Sequence, residues 1–209
     1  MISEIKQTYF SKFGIDIEKA SKKALVKNEN GTITAATEMC GDKYIKQEHL
    51  FDKLFPENIG YKKETRVKQQ KAGCDYIIYM PNNEELYVDI KVCIGTNYNM
   101  VEDDYNDKND YIEAIKDGIP KGVPIEIYQN NNFTFSKGKL TDYVLFIIMD
   151  SDGITYSLLD YDKVHKIALE HKRQYDTRGG SATLVNKGKM KWHFSNNRSG
   201  LYIKYQLNK

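Results

Sequence analysis

The chain lacks most of the features that would sort it quickly. Its three cysteines, Cys40, Cys74 and Cys93, are an odd number in no CxxC pattern. That speaks against a disulfide framework and for a reducing compartment. Joined by His49 they would make only a scattered zinc set, and buried thiols are the simpler reading. No run approaches the ~20 apolar residues needed to span a bilayer, and the opening "MISEIKQTYF" has no apolar signal-type segment. The expectation is a soluble, cytoplasmic protein with no membrane partner. An excess of one charge is missing too. Lys and Arg number 31 against 29 Asp and Glu, for a net +2, so any case for nucleic acid must rest on local clusters. Neither GxxxxGK[ST] nor GxGxxG occurs, which weakens NTP-driven chemistry. There is no repeat and no low-complexity linker. The 209 residues therefore read as one domain, long enough to bury a core to which sixteen tyrosines add amphipathic bulk.

What is there begins with helical spacing. Ile2, Ile5, Tyr9 and Phe13 recur at that period, and 15–26 continues with Lys19, Lys22, Lys23 and Lys27 on a wetter side. Residues 28–31 read as a turn. Residues 35–55 read as helix again, with a break expected at Gly41, where Asp42 would cap a fresh start, and Pro56 beyond the end. From residue 73 the period becomes two. Residues 76–80 and 85–94 form an expected hairpin across "PNNE". A polar loop, "GTNYNMVEDDYNDKND", leads to a short helix near 111–116. Strands are expected at 125–128, 142–149 and 156–159, a helix at 160–171, and short strands at 182–185, 190–194 and 201–206. The order indicates an α/β fold with a mixed central sheet flanked by helices. It divides into an N-terminal helical extension (1–34), a core (35–171) and a C-terminal β-rich extension (172–209), all within one domain.

The stretch "GCDYIIYMPNNEELYVDIKV" places acids inside apolar strands. Side chains alternate across a strand. Leu86, Val88, Ile90 and Val92 therefore share one face, and Tyr87, Asp89, Lys91 and Cys93 the other. Asp75, heading the preceding strand, comes near Asp89 and Lys91 if the hairpin pairs normally. Two carboxylates in a partly dry place repel unless a cation separates them or one is protonated. Mg²⁺ suits such oxygens and keeps room for water and phosphate. A lysine beside it can orient a water or neutralise charge growing on a phosphate. The chemistry indicated is metal-assisted phosphodiester hydrolysis. A further acid, Glu48, lies at helical spacing with Tyr44, Phe51 and Phe55. On such a stripe it wants a partner, either the metal or a lysine. Glu38, one or two turns earlier, is the alternative.

The order of helix acid, G-x-D at a strand start, turn, then hydrophobic-D-x-K resembles the PD-(D/E)xK nuclease superfamily. The matching segments are "IKQEHLFDKLF", "AGCDYII" and "LYVDIKV". The likeness covers about residues 35–95, and more loosely "VPIEIY" and "KLTDYVLFIIMD" as the next core strands. It implies a restriction-endonuclease-like core, a four-stranded mixed sheet flanked by helices. It further implies Mg²⁺ or Mn²⁺ held by Asp75, Asp89 and the backbone carbonyl of Ile90, Lys91 attending the water, and Glu48 completing the shell. Cys74 stands where the motif has proline, a position that shapes backbone and binds nothing. Glu126 reads as a strand-edge residue and Asp142 as a strand cap.

The substrate implied is DNA, with RNA second, in restriction, phage or mobile-element processing. Many DNA cutters of this fold pair as homodimers to cut both strands. The basic segment just before Asp75, with Lys62, Lys63, Arg66, Lys68 and Lys71, is the candidate phosphate contact. The tail aromatics Trp192, Phe194 and Tyr202 are candidates for stacking. His49, about 100° around the helix from Glu48, is poorly placed to share its metal. The rival class is a nucleic-acid-binding module that keeps the fold without chemistry.

Overall fold

A computed structural model describes residues 2–95, 98–99, 108–109, 112, 116, 121–126, 128–129, 132–133, 139–151, 153–166, 169, 181–186, 191–193 and 200–205. The chain divides into two compact units, Met1–Gly95 with Leu140–Asp160, and Thr96–Lys139 with Tyr161–Lys209.

The first unit holds five helices: α1 (Glu4–Lys12), α2 (Ile17–Lys23), α3 (Glu29–Gln47), α4 (Leu50–Leu54) and α5 (Val67–Lys71). It also holds strands β1 (Gly60–Lys63), β2 (Tyr76–Tyr79) and β3 (Glu85–Ile94). In the second unit come β4 (Tyr98–Asn99), β5 (Lys121–Glu126), β6 (Tyr128–Gln129) and β7 (Asn132–Phe133). The chain then returns to the first unit with β8 (Tyr143–Asp150) and β9 (Gly153–Asp160). It ends in the second with β10 (Ser181–Asn186), β11 (Lys191–His193) and β12 (Gly200–Tyr205).

The fold is α/β, as the element order predicts. The first unit's sheet is five-stranded and mixed, in the order β1-β2-β3-β8-β9. Only β3 and β8 run parallel in it; the other pairs are antiparallel. β8 reads "YVLFIIMD" and is buried from Val144 to Asp150, the continuous apolar run of a strand covered on both faces. One face of the sheet, with Tyr76, Ile78, Val88, Ile94, Leu145, Ile147 and Met149, joins Tyr9, Phe10, Cys40, Tyr44, Ile45 and Phe51 of the helices in one core. "VPIEIY" does not continue this sheet. β5 pairs with β12, β10 and β4 in the second unit's own sheet, of order β11-β10-β12-β5-β4. That unit also contains the β6–β7 ladder and a helix over 161–166, matching the start of the expected one. Of the short helix expected near 111–116, positions 112 and 116 are described, and both are helical; the rest lie outside the described residues, as does Phe194.

Two local rules decide how α3 is placed. Residues 28–31 are not a free turn: Asn28 is the N-cap, its side chain accepting from the Gly31 N–H at 2.8 Å. The helix then runs unbroken through Gly41. A Cβ there would stand 2.4 Å from Val92 Cγ2, so the glycine lets α3 lie directly on β3 and is no breaker. The break comes instead at Glu48, the C-cap, and His49, whose φ of 49° and ψ of 45° are left-handed.

Candidate functional site

The motif glycine has a defined local task. Gly73 has a φ of 88°. Its N–H donates to the Gln70 carbonyl at 2.9 Å, and the Cys74 N–H donates to Gln69 at 3.1 Å. This paired closure of α5 needs a left-handed residue. It turns the chain so that Asp75 arrives at the head of β2. Thr141 Oγ1 donates to the Gly73 carbonyl at 2.6 Å and the Leu140 N–H to Ala72 at 2.9 Å, tying the start of β8 to the same corner.

There β2 and β3 part. The Asp75 N–H still donates to the Val88 carbonyl at 3.0 Å, but beyond it β3 pairs with β8 alone. The Ile90 N–H, which would otherwise face the gap, donates to Asp75 Oδ2 at 2.8 Å. The carboxylate thus stands in for the missing strand. In an extended residue the N–H and C=O serve the same neighbour, so the Ile90 carbonyl faces this fork as well. Asp89 is 4% exposed. Lys91 Nζ lies 3.0 Å from its Oδ1 and 2.9 Å from its Oδ2. Only the contact to Oδ1 has hydrogen-bond geometry; Oδ2 is buried beside the ammonium, and a side-chain hydrogen bond also links the Asp75 and Asp89 carboxyls.

The electrostatics follow from this crowding. Burial pushes the Asp75 carboxyl up to about 7, with the repulsion of Asp89 adding to it and Lys91 and the Ile90 N–H opposing. Burial alone would lower the Lys91 ammonium, but Asp89 and Asp75 outweigh it and hold Lys91 above its ordinary range. The unit is thus two carboxylates and one ammonium, Lys91, held on Asp89.

Asp75, Asp89, Lys91 and Ile90 are therefore brought together. Glu48 is not. Because α3 ends at Gln47, Glu48 leaves the buried stripe, is half exposed and pairs with Lys53 at 3.1 Å. The helix carboxylate whose charge reaches Lys91 is Glu38. Partial burial raises Glu38, opposed by Lys63, Lys91 and Lys23 and aided by Asp42, although the residue is exposed. Beside it is a network that sequence reasoning missed. Asp42 accepts from Tyr76 Oη at 2.8 Å and ion-pairs with Lys63, pinning α3 to β2 and β1. The available signal was the i, i+4 spacing of Glu38 and Asp42 on one helix face.

Of the proposed phosphate contacts, Lys62, Lys68 and Lys71 are exposed. Lys63 is held by Asp42. Arg66 pairs with Glu64 at 2.5 Å, and that pairing holds the Glu64 carboxyl down at about 2. Asp142 is a cap, as read: its Oδ2 accepts from the Tyr87 N–H at 2.8 Å. His49 is exposed, 3.4 Å from Asp52. Cys40 and Cys74 are buried free thiols, pushed by burial up to about 12 and about 11. Among the described residues no three His, Cys, Asp or Glu side chains gather closely enough to hold a metal by themselves. The oxygens available to a hard cation are the Asp75 and Asp89 carboxylates and the Ile90 carbonyl. Such a set is open and suits an ion that retains waters. No described helix is long and apolar enough to cross a membrane.

Comparison of the chain with protein-family models, curated proteins and solved structures finds no match.

Proposed function

We propose that this protein is a metal-dependent nuclease that hydrolyses phosphodiester bonds in DNA, with Asp75, Asp89 and Lys91 as its working residues. One observation carries the reading. Two carboxylates from adjoining strands are buried together at a fork where they share one lysine, and burial, with the repulsion of Asp89 added, pushes the Asp75 carboxyl up to about 7. A cation bound between two such carboxylates would relieve both the burial and the repulsion. The mixed sheet with D-x-K on a central strand also agrees with the resemblance to PD-(D/E)xK nucleases.

In this reading Asp75, Asp89 and the Ile90 carbonyl would hold Mg²⁺ or Mn²⁺, with Glu38, in place of Glu48, as the outer carboxylate. When bound, the ion supplies polarisation of a phosphate and a water of lowered pKa. The chain supplies the rest. Gly73 and Thr141 fix the corner, the Ile90 N–H orients Asp75, and Asp89 holds Lys91 in place. Lys91, kept protonated, is suited to neutralising charge on a phosphate oxygen rather than to removing a proton.

The test is incubation of circular DNA, linear DNA and RNA with Mg²⁺, Mn²⁺ or EDTA, using the parent chain and Asp89→Ala. Metal-dependent nicking that Asp89→Ala loses is the expected result. Binding without cleavage in every metal would replace this reading with a silent nucleic-acid-binding module.

A further inference from the structure

Of the basic side chains that precede Asp75, one is both exposed and held. Lys62, Lys68 and Lys71 are exposed, and among the described residues no hydrogen bond or ion pair orients them. Lys63 is turned to Asp42 of α3. The Arg66 side chain is 67% exposed, yet its Nε lies 3.0 and 3.1 Å from the two Glu64 carboxylate oxygens and its Nη2 2.5 Å from one of them. The corner between β1 and α5 is closed by other bonds. Glu64 is 4% exposed, its Oε1 accepts from the Thr65 and Arg66 N–H groups, both at 2.8 Å, and its carbonyl accepts from Gln70 Nε2 at 2.8 Å. A guanidinium offers its donors in one rigid plane. Glu64 takes the edge formed by Nε and Nη2. A second two-donor edge, Nη1 with Nη2, remains on a side chain largely open to solvent.

The β1–β2 ladder ties this arginine to the fork. Lys63 pairs with Tyr76, and one step on the Glu64 N–H donates to the Asp75 carbonyl at 2.8 Å. Glu64 is therefore the cross-strand neighbour of Asp75. Such neighbours have Cα atoms about 5 Å apart and project to the same side of a sheet. Lys62 stands opposite Ile77, two residues further from the fork, and Lys68 and Lys71 lie on α5, outside the ladder. We propose that Arg66, aimed by Glu64, binds through its Nη1–Nη2 edge a backbone phosphate neighbouring the scissile one at Asp89 and Lys91. This rests on the reading above, and it narrows the basic segment to one directed contact. The two non-bridging oxygens of a phosphate match a two-donor edge as a carboxylate does. Glu64 cancels the charge of Arg66, so the pair adds direction more than attraction. Such a contact carries no base information and sets the register of the strand on the fork.

The experiment is methylphosphonate interference on an end-labelled DNA duplex, each molecule carrying one neutral linkage at a random position. The full chain cuts it with Mg²⁺, and slowed positions are mapped relative to the cut. The parent, R66Q, R66K and K68Q are compared, with thermal melts to confirm folding. In the parent, neutralising the contacted phosphate should slow cleavage about tenfold, the worth of one charge-assisted contact. R66Q and R66K should both lose that one position and keep the rest of the pattern, because an ammonium cannot bridge carboxylate and phosphate in one plane. K68Q should keep it. Slower cleavage by R66Q with the whole pattern intact would assign Arg66 to closing the corner and overturn the inference, as would loss of the same position in K68Q. If R66Q melts far below the parent, R66K decides. If the parent binds the duplex without cutting it, bound and free molecules are sorted in EDTA instead. A position lost only in the Arg66 variants then sinks the nuclease reading and keeps the phosphate contact. No such position, or no binding at all, overturns the contact itself.

Discussion

Replacing Asp75 by asparagine should stabilise the metal-free protein above neutral pH. The substitution keeps the shape: an amide oxygen can accept from the Ile90 N–H, now 2.8 Å from Asp75 Oδ2, and the amide nitrogen can donate to Asp89. What it removes is a charge the fold disfavours. The Asp75 carboxyl moves from an ordinary 3.8 to about 7 on folding, so the folded chain holds this proton where the unfolded chain has lost it. Its contribution to stability is therefore complete below the unfolded value and is lost as pH rises toward about 7. At 1.36 kcal/mol per pH unit the full loss is at most about 4 kcal/mol. About 3 kcal/mol of it falls between pH 5 and pH 8. For a chain of this size that is a change of roughly 6–10 °C in melting temperature. Thermal melts of the parent and Asp75→Asn in EDTA at both pH values measure it, since titrating groups remote from the fork cancel in the difference. Mg²⁺ should flatten the parent's pH profile and leave the variant's unchanged. Parallel profiles in EDTA, or equal stabilisation of both chains by Mg²⁺, would refute the account of the fork.

Three further outcomes are expected. Glu38→Gln should lower metal-dependent cleavage at least tenfold while Glu48→Gln leaves it near the parent's rate; the reverse order in a plasmid-nicking assay would return Glu48 to the site. Gly41→Ala should cost ~1–3 kcal/mol in a urea titration, since its methyl would overlap Val92 Cγ2. Val92→Ala in the same chain should recover part of that loss, and strict additivity would show that the two do not touch. Tyr9→Phe should cost ~1–3 kcal/mol, because Tyr9 Oη bridges the Asp150 and Gly153 carbonyls at 2.7 and 2.9 Å; a melting temperature equal to the parent's would show the bridge to be idle.

How much of this was legible depended on the range of the rule involved. Strand alternation is local, so the shared face of Asp89 and Lys91, the β2–β3 hairpin and the apolar β8 could be read from spacing alone. The approach of Asp75 was legible too, because a short antiparallel hairpin fixes its own register. What spacing could not reveal was where a helix stops. The stripe of Tyr44, Glu48, Phe51 and Phe55 assumed one uninterrupted helix, but the left-handed His49 rotates α4 against α3. The aromatics still reach the core while Glu48 turns outward. Gly41 misled in the opposite sense, because an intrahelical glycine reads as a breaker until the strand beneath it is known. The strand "VPIEIY" was assigned to the wrong sheet for a related reason: both sheets are mixed, and nothing in six residues says which partner edge they will meet. Glu38 was the harder case. Its merit lies in the Asp42–Tyr76–Lys63 network that pins α3 to the sheet, a set of contacts spanning 34 residues between Asp42 and Tyr76. That bond fixes α3 against β2, and with it the place of Glu38 one turn before Asp42.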